Sequence, residues 1–435
     1  YRSGIILLVS FVIVQCDYSK VKMEREKIVI TGVGAFTPLG NSPEEFWSGL
    51  IAGKSGIGPM TLCDPSDYPC QIAGEVNKFD PGQYLHIKET KRMARFSQLA
   101  VSAAIQAIDM SELIVTPGES NRMGVILGNG NGGFPTTESG VRTMIEKGGM
   151  KVSPFFMPMI LPNMAASNVS RILGIKGYNS TVVTACSASN QAMGEALEVL
   201  RRGVADVMIT GGTEAGISHL GLSGFCSMRA LTTNNSNPEE ASRPFDAKRD
   251  GFVPAEGAAI LVLETEKHAI DRGARILCEL AGFGSTSDAF HPVHPEDNGD
   301  GAMRAMKQAL GDAGITVDDV DYINAHGTST QINDAVETTA IKRLFGKRAY
   351  NIPVSSTKSM IGHSLGASGA LEAIPCIYSI VENIVHPTIN YQFADPKCDL
   401  DYVPNRAREM NVEVVLSNSF GFGGQNACIV FKRYP

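Results

Sequence analysis

The sequence predicts an α/β fold built from two similar halves, and three observations carry that expectation. A chain of 435 residues exceeds what one hydrophobic core usually serves. Short β-rich runs bounded by glycine alternate with helical patterns, as strands alternate with crossover helices. A faint internal repeat is also present. In "STVVTACSASNQAMGEALEVL" and in "PVSSTKSMIGHSLGASGALEAI", a chemically interesting residue, Cys186 or His363, stands shortly before a Gly/Ala-rich helix containing "ALE".

In chain order the strand signals are "KIVITGVG", "RMGVILGNG", "STVVTAC", "DVMITGG" and "AAILVLE", then "DYINAHG", "IPVSST", "VVLSNSFGFGG" and "ACIVF". Ahead of them, "IILLVSFVIV" (5–14) is half as long as a membrane-spanning helix needs to be, though it would fit the apolar part of a signal peptide. Met23 opens what reads as the first residues of the fold, so residues 1–22 are expected to be an upstream or processed extension.

A hydrophobic share of 43%, 45 glycines and a single Trp describe a packed α/β protein. The net charge of −7 argues against sequence-independent nucleic-acid binding, which needs Lys and Arg to neutralise phosphates. Nine scattered cysteines without a C-x-x-C pair argue against a zinc site or a disulfide framework, and point to a reducing, cytoplasmic compartment. In a eukaryote an organelle stroma or matrix would serve equally. "GNGNGG" (128–133) matches a dinucleotide-binding pattern, but Phe134-Pro135 follows where a helix should already run, so a tight loop is expected instead.

Cys186 follows a β-branched run and precedes Met193, Ala196, Leu197 and Leu200, spaced as on a buried helix face. It therefore falls at a helix N-terminus, where the dipole and free N–H groups favour a nucleophilic thiolate. The competing reading is a buried filler, the commonest fate of a cysteine. Nucleophilic cysteines need a partner, usually His. His326 and His363 lie in small-residue turns at strand ends or helix starts, where α/β sites gather, although either could be structural. Phe420 and Phe422 in "SNSFGFGGQNA" suggest a gate or a wall beside a site, or else aromatics filling a core gap.

Together, "TACSASN", "AHGTST", "STKSMIGHSLGASG" and "SNSFGFGGQNA" resemble the active-site blocks of the β-ketoacyl-[acyl-carrier-protein] synthases, in that family's order. The likeness runs from about Lys27 to Lys432 and is strongest to the elongating type II enzymes, which carry a Cys-His-His set. It implies the thiolase-like fold, a duplicated α-β-α-β-α sandwich with one half over residues 23–275 and the other over 276–435. It implies a homodimer, acyl carrier protein as partner, no membrane association and no cofactor.

It further implies that Cys186 carries the acyl chain while His326 and His363 stabilise the enolate formed from malonyl-carrier. The product would be 3-oxoacyl-carrier. Lys358 and Glu372 match the family's active-site lysine and buried carboxylate, and the backbone N–H groups of Cys186 and Phe422 its oxyanion hole. Asn131 and Phe225 fall in the acyl pocket, and the polar Asn131 stands where an apolar residue is usual. Gln425 replaces a usual Thr. A structural monovalent cation is possible near Asn324, Glu372, Ser417 and Asn418. In "HIKETKRMAR", Lys88, Lys91 and Arg92 match the carrier-docking segment, with Arg95 beside them as a further basic residue. A type II polyketide or specialised-lipid ketosynthase would use the same residues. A non-catalytic chain-length factor would lack the nucleophilic cysteine.

Overall fold

The computed structural model describes residues 26–435; the expected extension at residues 1–22 lies outside the described residues. Two stretches of chain repeat one order of elements. The first runs β1 (Ile28–Phe36), α1 (Arg95–Ser111), β2 (Met123–Gly128), α2 (Met164–Leu173), β3 (Asn179–Val182), α3 (Ala188–Arg201), β4 (Val207–Glu214) and β5 (Gly257–Thr265). The second runs β6 (Cys278–Ser287), α4 (Asp300–Asp312), β7 (Tyr322–Asn324), α5 (Gln331–Phe345), β8 (Val354–Ser355), α6 (Ser368–Glu382), β9 (Val414–Gly421) and β10 (Gln425–Lys432).

Strand order is β3-β2-β4-β5-β1 in the first repeat and β8-β7-β9-β10-β6 in the second. Both have parallel pairs at the outer end and antiparallel pairs toward β1 or β6. A short antiparallel contact, Val29 with Glu279 and Ile30 with Cys278, joins them.

Helices α3 and α6 lie between the repeats: α3 packs on β2, β4 and β10, and α6 on β9, β5 and β4. Their apolar faces explain why. Met193, Leu197 and Leu200 of α3 and Leu371, Ile374 and Ile377 of α6 share one core with Ile126, Leu261, Val415 and Ile429. Each such side chain withdrawn from water contributes about 1.5–3 kcal/mol. Outside, α1 and α2 cover the first repeat and α4 and α5 the second, completing the α-β-α-β-α sandwich.

The repeats also share a packing device. A Cβ on Gly32 or Gly34 of β1 would lie 2.2 or 2.0 Å from a carbonyl of α1, and one on Gly282 or Gly284 of β6 would lie 2.4 or 2.1 Å from a carbonyl of α4. Helix and strand touch there only because both strands carry glycine.

Three expectations change. Strand β6 carries no strong sequence signal, because the glycines its packing requires break the β-branched run. The helix Phe134–Lys147 does begin directly after "GNGNGG", with proline in its first turn. Proline is tolerated there because that N–H has no partner inside the helix. A tight loop is nevertheless present, since Gly130 and Asn131 donate their N–H groups to the Glu214 carboxylate. A side chain of the protein thus takes the place a phosphate would occupy. Finally, the basic segment is a single turn, Ile87–Thr90, followed by a separate α1. Among the described residues no helix is long and apolar enough to cross a membrane.

Candidate active site

Ala185, Cys186 and Ser187 form a single 3-10 turn feeding α3, with Ala185 at φ 50°. That left-handed residue turns the chain sharply from strand to helix, a strained geometry that the surrounding packing must hold. The Ser187 hydroxyl braces it by donating to the Thr184 carbonyl at 2.8 Å. Cys186 is buried yet lines a cavity of roughly 350 Å³ together with His326, His363, Phe252, Phe420 and Phe422.

Burial pushes the Cys186 thiol up to about 11; the Lys358 charge, the Phe422 N–H and its own N–H pull the other way, with Glu214 opposing them. The resting group is therefore a thiol, not the thiolate that its helix-start position alone suggests. Desolvation outweighs the local dipole. The same two N–H groups are placed to receive an oxyanion on a carbonyl bonded to this sulfur.

His326 follows β7. Its N–H and that of Gly327 each donate to Glu337 of α5 at 2.8 Å, and Asn418 Nδ2 donates to the same carboxylate at 3.1 Å. Lys358 Nζ lies 3.4 Å from His326 Nδ1 and ion-pairs with Glu372, with all three side chains buried. An ammonium can only donate, so Nδ1 accepts and the imidazole proton sits on Nε2. Burial raises the Glu372 carboxyl, and Lys358 opposes that.

His363 is fixed to the first repeat by its N–H donating to the Val253 carbonyl at 2.8 Å, and its Nδ1 lies 2.9 Å from the Ser368 hydroxyl. The two imidazole centroids are 5.4 Å apart, nearly perpendicular, with Phe252 against His363 and Phe420 against His326. Burial, and then Lys358, hold both histidines well below their ordinary value. Neutral imidazoles therefore face the cavity.

Phe420 ends β9, and Gly423 (φ 86°) and Gly424 (φ 72°) make the turn that carries Phe422 to the cavity. Gln425 stands exposed at the start of β10. Asn131 and Phe225 do not line this cavity: Phe225 reaches it through Phe252, 5.5 Å away and edge-on. The Asn131 Nδ2 is buried without a hydrogen-bond partner.

Lys88, Lys91 and Arg92 are exposed, with the Arg92 guanidinium 4.9 Å from the Phe155 ring centre. Arg95 is not free for a partner, because it forms a bidentate pair with the buried Glu256 at 2.8 and 2.6 Å. Sequence reasoning missed Glu337 and Glu214. Glu337 was detectable: Asp334, Glu337, Thr338, Ile341 and Phe345 share the buried stripe of α5, and a carboxylate on such a stripe needs donors.

Comparison with known proteins follows this geometry closely. The chain matches the family described as "Beta-ketoacyl synthase, N-terminal domain" over residues 25–269 and its C-terminal domain over residues 277–392. It is 48% identical over 412 residues to a 3-oxoacyl-[acyl-carrier-protein] synthase 2 of Synechocystis sp., covering 95% of this chain and 99% of that protein. A protein of the same name from Coxiella burnetii is 47% identical, over 94% of this chain and 99% of its own length. Among solved structures, a β-ketoacyl synthase from Burkholderia phymatum aligns with TM-score 0.87 and 37% identity over 94% of this chain and all of that one. A type II polyketide ketosynthase solved with its acyl-carrier protein aligns with TM-score 0.86 and 34% identity, over 95% of this chain and all of that one. The chain belongs to the β-ketoacyl synthase family of condensing acyltransferases.

Proposed function

We propose that the protein elongates fatty acids by condensing malonyl-[acyl-carrier-protein] with an acyl chain held on Cys186, releasing CO2 and 3-oxoacyl-carrier. One observation carries this reading: Cys186 faces the same cavity as two buried imidazoles whose centroids are 5.4 Å apart.

In the first step the Cys186 sulfur attacks the acyl thioester, and the tetrahedral oxyanion rests on the N–H groups of Cys186 and Phe422. The Cys186 proton leaves with the departing carrier thiol, so the exchange is proton-neutral overall. In the second step the malonyl carboxylate departs as CO2 while the enolate oxygen accepts hydrogen bonds from His326 Nε2 and from His363. Lys358 enforces the His326 tautomer. With the Ser368 hydroxyl donating to Nδ1, His363 carries its proton on Nε2 and offers Nε2–H. The carbanion then attacks the acyl carbonyl on Cys186, and the sulfur leaves as thiolate and takes up one proton from water, the proton that the reaction consumes overall.

The greater identity to elongating synthases than to polyketide ketosynthases favours the fatty-acid reading. Cys186 argues against a non-catalytic chain-length factor. Acyl carrier protein is the proposed partner, with Lys88, Lys91 and Arg92 as its docking charges. A homodimer is supported by helix Phe134–Lys147, which follows the Asn131 loop, buries no residue and exposes Val141, Met144 and Ile145 at helical spacing. In such a dimer Asn131 would close the acyl pocket.

For the monovalent cation, Oδ1 of Asn324 and Oε2 of Glu372 are buried without partners, and Ser417 lies opposite Asn324 in register. Hard oxygen donors of this kind fit such an ion, whose positive charge would offset the buried carboxylate. Asn418 fits less well, since both ends of its amide are already engaged, with Cys428 and Glu337.

Purified protein given acyl-carrier and malonyl-carrier should release CO2 and 3-oxoacyl-carrier in equal amounts. CO2 release without chain extension would overturn the condensing reading.

A further inference from the structure

The second repeat contains a counterpart of the Cys186 elbow. Leu365, Gly366 and Ala367 form a 3-10 turn feeding α6, just as Ala185, Cys186 and Ser187 feed α3. The first residue of each turn is left-handed, with φ 50° at Ala185 and 43° at Leu365. Gly366 therefore occupies the position of Cys186. No side chain fits there, because a Cβ on Gly366 would lie 2.3 Å from the Gly130 nitrogen.

The Gly366 amide of this second elbow and two amides of the facing 128–133 loop are aimed at one point, and that point is filled. Glu214, at the end of β4 and fully buried, accepts the N–H of Gly366 at 3.2 Å, of Gly130 at 2.8 Å and of Asn131 at 3.3 Å. A concave set of backbone N–H groups suits an anion, and here a side chain of the protein fills it: burial pushes the Glu214 carboxyl up to about 7 while the N–H groups of Asn131, Gly130 and Gly366 pull it down. Among the described residues no other side chain hydrogen-bonds to both of the segments that this carboxylate ties: the loop bearing Asn131, and the turn three residues after His363.

We propose that Glu214 is a positioning residue for decarboxylation, holding the His363 turn in register with the acyl-pocket loop so that movement of one is felt by the other. This rests on the condensing reading above. Glu214 does not line the cavity, its charge reaches the Cys186 thiol only behind burial, Lys358 and Phe422, and the oxyanion donors at Cys186 belong to the other elbow. Its removal should therefore separate the two steps. Glu214→Ala removes the acceptor shared by Gly130, Asn131 and Gly366 and so cuts the tie, whereas in Glu214→Gln one oxygen can still accept from Gly130 and Gly366 and keep it.

The test uses the full chain with acyl-carrier and malonyl-carrier, following Cys186 acylation by intact mass and CO2 release separately. Glu214→Ala should acylate within about threefold of the wild-type rate, while kcat for CO2 release falls about tenfold or more with little change in KM, and Glu214→Gln should restore most of that loss. Both rates at wild-type levels, or both falling in proportion to the folded fraction, would overturn the proposal. If the wild-type protein forms neither acyl-enzyme nor CO2, the condensing reading fails, and the proposal with it. Should the variant not fold, hydrogen exchange on the wild-type protein decides: residues 128–133 and 363–367 should change protection together when Cys186 is acylated, and a change confined to one segment would overturn the coupling.

Discussion

The two elbows of this protein share a backbone and differ in what they hold. One presents Cys186 to a cavity, with two N–H groups at its sulfur. The other has glycine in the same place, with its amide satisfied by an internal carboxylate. Duplication thus supplies one scaffold twice, and chemistry appears where the second copy is closed off. The catalytic set is divided accordingly: Cys186 comes from the first repeat, His326 and His363 from the second, and the shared helices α3 and α6 bring them to one cavity.

The sharpest break of this comparison is at the first elbow. Cys186→Ala should abolish acyl-enzyme formation while leaving decarboxylation of malonyl-carrier, since the imidazoles remain. Substitution beside the second elbow should do the reverse. His363→Ala is expected to keep Cys186 acylation and to lose about 10²–10³-fold in CO2 release, measured with labelled malonyl-carrier. Equal loss of both steps in His363→Ala would merge the two roles.

Lys358→Ala should destabilise the fold by about 3 kcal/mol in denaturant unfolding, because it strands the buried Glu372. It should also slow decarboxylation more than acylation, by freeing the His326 tautomer. A smaller effect is expected far from both elbows. Burial would raise the Glu264 carboxyl, but bonds from Arg272, His268 and Thr31 prevail and hold it down to about 2. A depressed carboxyl contributes stability that is complete above its ordinary value of 4.5 and is lost as pH falls toward 2. Melting of Glu264→Gln should therefore show less acid dependence over that range, with about 2 kcal/mol lost near neutrality. The smallest effect concerns Asn131→Ile, which should shift the chain-length profile without slowing the preferred length. An unchanged profile would remove Asn131 from the pocket.

Much of this was legible in the sequence, and the reason is physical. Reactive side chains need room and sharp turns, so Cys186, His326, His363 and Phe422 stand among glycine, alanine and serine, where they are conspicuous. Most strands announced themselves by β-branched runs. Strand β6 did not, because Gly282 and Gly284 serve contact with α4 rather than strand propensity. The acid-base state of Cys186 was misread from its neighbours in the chain, since desolvation is a property of the assembled cavity. Arg95 looked like a docking charge and is committed to Glu256, a residue 161 positions away. Glu214 was silent for a similar reason: its donors come from distant loops, and only the fold shows that those loops converge.

Intact-protein mass spectrometry of the wild-type and Cys186→Ala chains, each incubated with acyl-carrier and then malonyl-carrier, bears on all of this at once. The wild-type chain should gain one acyl mass and lose it on adding malonyl-carrier. The Cys186→Ala chain should gain none while still releasing CO2. An acyl adduct on the alanine variant, or a wild-type adduct that malonyl-carrier cannot discharge, would contradict the assignment of Cys186 as the residue on which the chain is extended.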